Sequence, residues 1–398
     1  GYLTKAEKDK YIKKDLILNY KNYSNKKGLA PYFREQIRKD LSQVLDTIKN
    51  KDGEKYNIYR DGLIVHTTLD YKLQSIAEAA MKEHMAVLQK THEDSYGSRA
   101  PWLTNDAILK DAIHRSKAYQ NLKEDGFSEE GIMQELQKKK QMELFKYDGT
   151  VTRQASTIDS IKHYLKFLNA GLLSIDPKDG AVKAWVGGVD FRYFQYDHVS
   201  QSKRQVGSTF KPIVYTTAID NGYPVTKQLL NQPLVLRVLN AEGEWEKWMP
   251  RNYDGSTSGL TSLREGIRKS VNLIAVRVVK ELVPASEIKS TARRMGITTD
   301  IRAVDAIALG TSEVYLIDMV NAYSAFSNRG LLNQPFGITR VEDRYGNVIK
   351  EYFPIREEVL REESAYVMTS MLQTVLDKGT GGSARWKYNF YHPAGGKT

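Results

Sequence analysis

Ser208 and Lys211 lie three residues apart, and the pair directly follows Gly207 and directly precedes Pro212. Residues three apart on a helix occupy the same face, so the serine hydroxyl and the lysine amine are one turn apart there. Glycine permits a sharp turn into such a helix. Proline is tolerated in the first turn, where its missing N–H is not needed for an intrahelical hydrogen bond. We therefore predict a tight turn followed by a helix from about Ser208 to Ala218.

The Ser208–Lys211 spacing is also typical of a nucleophile and its base. A serine hydroxyl is a weak nucleophile until a base removes its proton, and a neutral lysine is able to act as that base. The free N–H groups at a helix N-terminus favour an oxyanion. The spacing alone is weak evidence, because Ser24–Lys27 and Ser286–Lys289 share it.

Two further motifs follow the Ser208–Lys211 pair in a fixed order. Ser270-Val-Asn272 is the one Ser-x-Asn sequence in the chain, and Lys397-Thr398 follows Gly395-Gly396. The other Lys-Thr pair, Lys90-Thr91, precedes the serine. Serine β-lactamases and penicillin-binding proteins carry S-x-x-K together with S-D-N and K-T-G. Three matching motifs in the right order leave little room for coincidence.

Strand and helix patterns over the rest of the chain predict an α+β fold. An amphipathic helix is expected at 31–49, a strand at 63–68 and a helix that Asp70 caps and that runs to about Lys90. Residues 91–150 are charged, helical in character and without a chemical signature, so we interpret them as an insertion. Further strands are predicted at 172–175, at 181–186 and as a pair within 336–352, and further helices at about 261–283, 312–328 and 363–378.

The composition excludes several kinds of site. The chain has no Cys, which rules out disulfides, cysteine-ligated zinc and a thiol nucleophile, and is compatible with an oxidising envelope compartment. Its seven His show no metal-ligand spacing, so we expect neither a metal nor another cofactor. No run of about 18 apolar residues is present that would span a bilayer.

The net charge of +11 is concentrated near the N-terminus, where residues 1–60 hold 15 Lys and Arg against 8 Asp and Glu. Such a segment suits nucleic acid, an anionic membrane surface or an acidic polymer, and it equally suits a solvated helical face. No RNA- or DNA-binding motif accompanies the 24 Tyr of the chain. We therefore predict no nucleic-acid partner.

Longer segments around the three motifs resemble class A penicillin-binding proteins. The resemblance covers about residues 60–82 and 171–398. It is carried by the segments 62–70, 174–182, 185–188, 204–212, 309–314, 321–330 and 379–384. It implies a penicillin-recognising, β-lactamase-like serine transpeptidase fold with a mixed sheet, a helical subdomain and an N-terminal linker.

The resemblance implies that Ser208 is the nucleophile. The penultimate D-Ala of a stem pentapeptide would acylate it, with release of the terminal D-Ala. Lys211 would be the base and must then be neutral at least transiently. Burial and the nearby Lys397 would both lower the pKa of Lys211.

The remaining motif residues receive supporting roles from the same resemblance. Ser270 and Asn272 would relay protons and hold the amide of the donor peptide. Lys397 and Thr398 would bind the substrate carboxylate, as they would that of a β-lactam. The oxyanion hole would use the backbone N–H of Ser208 and that of a residue beyond Thr398.

The resemblance also implies a longer parent protein. We expect a linker at 1–62 after an absent glycosyltransferase domain. The N-terminal part of the transpeptidase region, with the helical insertion, would follow at 63–170, and a catalytic domain truncated at its C-terminus at 171–398. An absent N-terminal anchor would hold the parent at the outer face of the cytoplasmic membrane. The expected partners are peptidoglycan stem peptides (a D-Ala-D-Ala donor and an amine acceptor) and β-lactam antibiotics.

Alternative functions stay open at this point. A serine β-lactamase shares the three motifs, but the E-x-x-L-N segment with the deacylating Glu of class A enzymes is not found in this chain. A non-catalytic scaffold or β-lactam sensor would keep the site without cross-linking. Residues 396–398 resemble the end of a phosphate-binding P-loop, yet Tyr391 occupies the position that requires glycine. The sequence therefore favours a D-alanyl-D-alanine transpeptidase.

Overall fold

The computed structural model of the chain describes residues 28–50, 53–239 and 244–398, together with residues 4, 5 and 8. The Ser24–Lys27 pair and part of the basic N-terminal segment lie outside the described residues. Within the described ranges, no helix combines the length and the apolar character that crossing a bilayer requires.

The described chain contains runs of helices and runs of strands. The α-helices are α1 (Pro31–Leu45), α2 (Tyr71–Tyr96), α3 (Pro101–Thr104), α4 (Asp106–Arg115), α5 (Lys117–Glu124), α6 (Glu129–Gln137), α7 (Thr157–Leu165), α8 (Lys211–Asp220), α9 (Leu263–Arg268), α10 (Asn272–Arg277), α11 (Ala285–Arg294), α12 (Leu316–Ser327), α13 (Glu362–Lys378) and α14 (Ser383–Trp386). Short 3-10 helices form at Gly97–Arg99, Gly207–Phe210 and Asp305–Leu309, and a π-helical turn forms at Val278–Leu282.

The strands are short. They are β1 (Ile64–Thr67), β2 (Lys140–Lys146), β3 (Gly149–Ala155), β4 (Leu172–Ile175), β5 (Val182–Val186), β6 (Lys203–Gln205), β7 (Gln228–Leu230), β8 (Leu236–Leu239), β9 (Trp245–Trp248), β10 (Leu260–Ser262), β11 (Glu313–Tyr315), β12 (Leu331–Asn333), β13 (Ile338–Glu342), β14 (Val348–Glu351) and β15 (Arg356–Glu358).

Most predicted elements are confirmed, and two differ in an informative way. The long helix predicted over 261–283 is divided at Ser270 into α9 and α10, because Ser270 adopts a left-handed conformation with φ 57°. The first part of the helix predicted over 312–328 is instead strand β11, and the helix itself begins at Leu316. Strand β11 pairs with β6, which precedes the predicted nucleophile in the chain. Both departures place backbone near the Ser208–Lys211 turn.

Helix α1 packs firmly although the sequence placed it in a linker. Its apolar face buries Phe33, Ile37 and Leu41, as the helical periodicity predicts. Phe33 lies 6.3 Å from Trp185 of β5 between ring centroids, and Ile338 of β13 belongs to the same apolar cluster. Residues 31–45 are therefore part of the folded body.

The sheet layer is joined by a few specific hydrogen bonds. Strands β1, β13 and β14 form an antiparallel sheet, and β4 pairs with β5 as a hairpin. A parallel bridge between Ala181 and Phe336 connects the two. The Thr68 hydroxyl lies 2.7 Å from the carbonyl oxygen of Val182 and 3.2 Å from that of Phe336, which fastens the same junction.

Residues 97–168 form a separate small cluster. The sequence predicts helical character over 91–150, which α3 to α6 confirm, but 140–155 is the β2–β3 hairpin. Ile113, Ile132 and Leu136 form part of its apolar core. Aromatic side chains connect it to the loop after β5, where Phe145 lies 5.3 Å from Phe194 between ring centroids.

Helix α8 is the centre of the largest apolar cluster. Nearly all its side chains are buried, including Ile213, Val214 and Tyr215, so it is apolar all round rather than amphipathic. Lys211 begins this helix and is itself 0% exposed. The helices that surround α8 thus bring polar groups from distant parts of the chain to one buried lysine.

Replacing Phe33 with Ala tests whether α1 belongs to the folded body. We expect the free energy of unfolding in urea to fall by about 3–5 kcal/mol, because the change leaves a cavity beside Trp185. Phe353→Ala is the matched control, since Phe353 is 76% exposed. Equal stability of the two variants would contradict the docking of α1.

Candidate active site

The turn in front of α8 forms as the sequence predicts. Residues Gly207–Phe210 make one 3-10 turn, Gly207 has φ 54°, and α8 continues from Lys211. The N–H of Gly207 donates to the carbonyl oxygen of Gly310 over 2.9 Å. A Cβ at Gly310, where φ is 67°, would overlap the carbonyl group of Gly207. The segment 309–314 is therefore the support on which this turn rests.

Ser208 lies at the N-terminal end of this helical segment and is half-buried. Its carbonyl oxygen accepts from the N–H of Lys211. The Tyr323 hydroxyl donates to the carbonyl oxygen of Thr209 over 2.6 Å and holds the turn from the side of α12. Within the described chain, the Ser208 hydroxyl has no hydrogen-bond partner and is available to a ligand.

Lys211 is held by polar groups of the Ser270–Asn272 motif. Its Nζ donates to the carbonyl oxygen of Ser270 and to Oδ1 of Asn272, each over 2.7 Å, and lies 3.3 Å from Oγ of Ser270. Burial lowers the pKa of Lys211 to about 7, and the nearby charge of Lys397 adds to this effect. The lowered pKa makes the uncharged amine more accessible near neutral pH than it is for an exposed lysine.

Ser270 occupies the end of α9 in the position that glycine usually takes. Its N–H donates to the carbonyl oxygen of Ile267 over 3.1 Å, and the N–H of Val271 donates to the carbonyl oxygen of Gly266 over 2.8 Å. This pair of bonds is the Schellman ending of a helix, which requires one residue with positive φ. The left-handed backbone turns the Ser270 carbonyl towards Lys211 while the hydroxyl faces Lys397.

Asn272 presents a defined side of its amide to Lys211. Its Nδ2 donates to the carbonyl oxygen of Arg251 over 2.9 Å, and its Oδ1 accepts from Lys211. The donor and acceptor pattern of the two neighbours fixes the amide orientation. Arg251 enters the site through its backbone, and no sequence motif pointed to it.

Lys397 approaches from the C-terminal part of the chain. Its Nζ donates to Oγ of Ser270 over 2.9 Å, and burial lowers its pKa to about 8. Oγ1 of Thr398 lies 2.7 Å from Oγ1 of Thr380. Thr380 belongs to the segment 379–384 and is a contact that the three motifs alone do not predict.

The Ser270 hydroxyl thus lies between two lysines whose pKa values are both lowered. It contacts Nζ of Lys211 and Nζ of Lys397, while Ser208 precedes Lys211 by one turn. A hydroxyl in this position is able to accept a proton from one amine while it donates to the other. The arrangement is suited to moving protons to and from a nucleophilic serine.

A cavity of about 510 Å³ borders the site on the side of β11 and α12. Its walls include Thr209, Leu316, Met319, Tyr323 and Lys397 and are mostly apolar. In the described part of the chain, no group of His, Asp and Glu is arranged to hold a metal ion.

Comparison with known families agrees with this geometry. The family model described as the penicillin-binding protein transpeptidase domain matches residues 170–398, more than half of the chain. The chain belongs to the penicillin-binding proteins. The family model described as the penicillin-binding protein middle domain matches residues 97–168. The segment 91–150, interpreted from the sequence as an insertion, thus coincides largely with a domain that has a family model of its own.

Relatives among the penicillin-binding proteins align over nearly all of the chain. Penicillin-binding protein 1A of Rickettsia typhi is 27% identical over 435 residues, covering 97% of this chain and 53% of the relative. Penicillin-binding protein 1A of Aquifex aeolicus is 28% identical, covering 96% of this chain and 51% of the relative. These matches confirm the resemblance to class A penicillin-binding proteins. The chain spans about half the length of the relatives.

Solved structures of this family share the fold. The crystal structure of penicillin-binding protein 1A from Haemophilus influenzae has a TM-score of 0.64 at 20% identity, covering 96% of this chain and 62% of that one. The penicillin-binding protein PonA1 from Mycobacterium tuberculosis has a TM-score of 0.53 at 18% identity, covering 86% of this chain and 69% of that one. The predicted α+β penicillin-recognising fold is confirmed.

Comparing Ser270→Gly with Ser270→Ala tests the left-handed backbone at residue 270. Both variants lack the hydroxyl, so they differ only in the presence of a Cβ. We expect the glycine variant to have the higher free energy of unfolding by about 1 kcal/mol, because alanine is strained at positive φ. Urea denaturation gives the difference. At an ordinary helical position the alanine variant is the more stable of the two. A more stable Ser270→Ala protein would therefore contradict the left-handed geometry of Ser270.

Proposed function

We propose that this penicillin-binding protein is a serine D-alanyl-D-alanine transpeptidase with Ser208 as nucleophile. The observation that carries the proposal is the position of Lys211. It is buried, its pKa is lowered to about 7, and it is hydrogen-bonded to Ser270 and Asn272 one turn after Ser208. A base with a pKa near the operating pH is the most effective in general base catalysis.

The first half of the reaction forms an acyl-enzyme. The Ser208 oxygen attacks the carbonyl carbon of the penultimate D-Ala while Lys211 takes the hydroxyl proton. The tetrahedral intermediate then collapses, the C–N bond to the terminal D-Ala breaks, and the departing amine takes up a proton. Ser270 is the proposed path for that proton, because its hydroxyl contacts both Lys211 and Lys397.

The second half transfers the acyl group to the amine of another stem peptide. That amine attacks the carbonyl carbon of the Ser208 ester and loses a proton to Lys211. The C–O bond then breaks, and the serine oxygen takes that proton from Lys211. The product is a peptide cross-link, and the free enzyme returns. The backbone N–H of Ser208, at the start of the helical segment, is suited to stabilising the oxyanion in both halves.

Lys397 and Thr398 are proposed to bind the substrate carboxylate. The ammonium of Lys397 and the hydroxyl of Thr398 are suited to hydrogen-bond a carboxylate. Asn272 is proposed to contact the donor amide beside them. A β-lactam carries an acyl group and a carboxylate of its own, so the same residues are expected to accept it and to leave Ser208 acylated.

The whole protein is proposed to contain more than the described domains. Because the chain spans about half of its relatives, a glycosyltransferase domain, an N-terminal membrane anchor and a location at the outer face of the cytoplasmic membrane are proposed for the whole protein. The basic segment 1–60 fits a position close to an anionic membrane surface. Detection of the full-length protein in washed membrane fractions tests this placement.

Replacing Ser208 with Ala tests the nucleophile. Covalent labelling by a fluorescent penicillin should be abolished, because no oxygen remains to form the ester. Ser286→Ala is the matched control, since Ser286 has a lysine at the same spacing but that lysine binds Asp300 over 2.8 Å. Labelling that persists in Ser208→Ala protein would contradict the assignment of Ser208 as nucleophile.

Release of D-Ala from a D-Ala-D-Ala donor with an acceptor amine separates a transpeptidase from a sensor, which would acylate once and stop.

The pH dependence of acylation tests the base. A neutral Lys211 is required, so the second-order rate constant for penicillin should rise about tenfold between pH 6 and 8 and level off above, as for a base with its pKa near 7. Lys211→Arg should lower the rate by about 10²–10⁴-fold at every pH, because a guanidinium does not deprotonate. A flat profile in the wild type, or an active arginine variant, would show that another group removes the proton.

A further inference from the structure

Helix α10, which begins at Asn272, has no side chain of its own to cap it. The preceding residue, Val271, offers no side-chain acceptor to the first N–H groups. Oδ1 of Asn252, twenty residues earlier in the chain, accepts from the N–H of Asn272 over 3.0 Å and from that of Leu273 over 3.2 Å. A remote asparagine thus caps the helix whose first residue binds Lys211.

The amide of Asn252 is held in one orientation. Its Nδ2 donates to Oδ1 of Asn231 over 2.9 Å and to the carbonyl oxygen of Ser256 over 2.7 Å. Both protons of the amide are therefore used, and the oxygen must face α10. Asn231 is buried and in turn donates to Oγ of Ser258 over 2.9 Å. The chain of bonds leaves Asn252 no alternative partner.

The segment that carries Asn252 holds Asn272 at two points. Asn252 binds its main-chain N–H, and the carbonyl oxygen of the adjacent Arg251 binds its side-chain Nδ2. With Nδ2 held in this way, Oδ1 of Asn272 faces Lys211 at 2.7 Å. Residues 251 and 252 thus fix the direction of the side-chain amide oxygen that accepts from Lys211.

We propose that Asn252, held by Asn231, is a positioning residue of the acyl-transfer site and acts through Asn272 on Lys211. The inference deepens the proposed transpeptidase function and rests on it. The two bonds donated by Nδ2 already favour an amide over a carboxylate at this position. Aspartate caps a helix as well as asparagine does and suits the helix dipole better. A carboxylate here, however, would lose the two bonds that Nδ2 donates, and its negative charge next to the N–H of Asn272 would favour the charged lysine.

Three variants of the full-length protein test this role through acylation by a fluorescent penicillin from pH 6 to 10. Asn252→Ala removes the cap and frees Asn272, and we expect the second-order rate constant to fall by about ten- to a hundredfold. Asn333→Ala is the control, because Asn333 is 1% exposed and donates to the carbonyl oxygen of Pro177 over 2.9 Å, away from this motif. It should lose thermal stability yet keep the rate and pH profile of the folded protein.

Asn252→Asp separates positioning from capping. It keeps an acceptor for the N–H groups of Asn272 and Leu273 but loses the two N–H donors to Asn231 and Ser256, so its thermal midpoint should also fall below that of wild type. The positive charge of Lys397 continues to oppose a charged Lys211, but the new carboxylate favours it. The midpoint of the pH profile should therefore move upward by about one unit, or a tenfold change in proton affinity.

An unchanged pH midpoint in Asn252→Asp, or a rate within twofold of wild type in Asn252→Ala, would overturn the positioning role and leave a structural cap. Should Asn252→Ala fail to fold, the pH midpoint of Asn252→Asp decides alone. Penicillin labelling that persists in Ser208→Ala protein would instead overturn the proposed function. The two failures are therefore distinguishable.

Discussion

The burial of one lysine is the constraint on which the site depends. Lys211 begins a helix whose side chains are almost all inside the largest apolar cluster, and an ammonium there is costly to desolvate. The lysine therefore requires polar partners, and its hydrogen-bond partners come from outside its own helix. The carbonyl oxygen of Ser270 and the amide of Asn272 meet this need. The same burial that demands these partners lowers the pKa of the lysine.

The partners of Lys211 depend in turn on an unusual piece of backbone. Ser270 has a positive φ between two short helices, and glycine would adopt this conformation more easily. A glycine lacks the hydroxyl that lies between Lys211 and Lys397. The strained residue is therefore understandable at a site where function needs a side chain. The Schellman bonds on one side and Asn252 on the other hold the turn in place.

Much of the fold was predictable from local patterns. The α1 periodicity, the Asp70 cap and the β4–β5 hairpin are encoded in neighbouring residues and are confirmed. The division of the 261–283 helix at Ser270 was not predictable, because serine favours no positive φ without tertiary support. The β2–β3 hairpin was also missed, since its Lys-rich first strand suggests a solvated helix. In the hairpin, strand pairing overrides the local helical propensity.

The sequence by itself determined the identity and order of the chemical groups. The spacing of Ser208 and Lys211 places them one turn apart on any helix, and the later motifs name the groups expected to join them. Only the tertiary structure decided what those groups do to the lysine, because a lowered pKa comes from burial and from charges distant in sequence. Asn252 has no motif and became visible only through its contacts with Asn272 and Leu273. Hydrogen bonds between distant segments depend on how helices pack, and no local pattern records that packing.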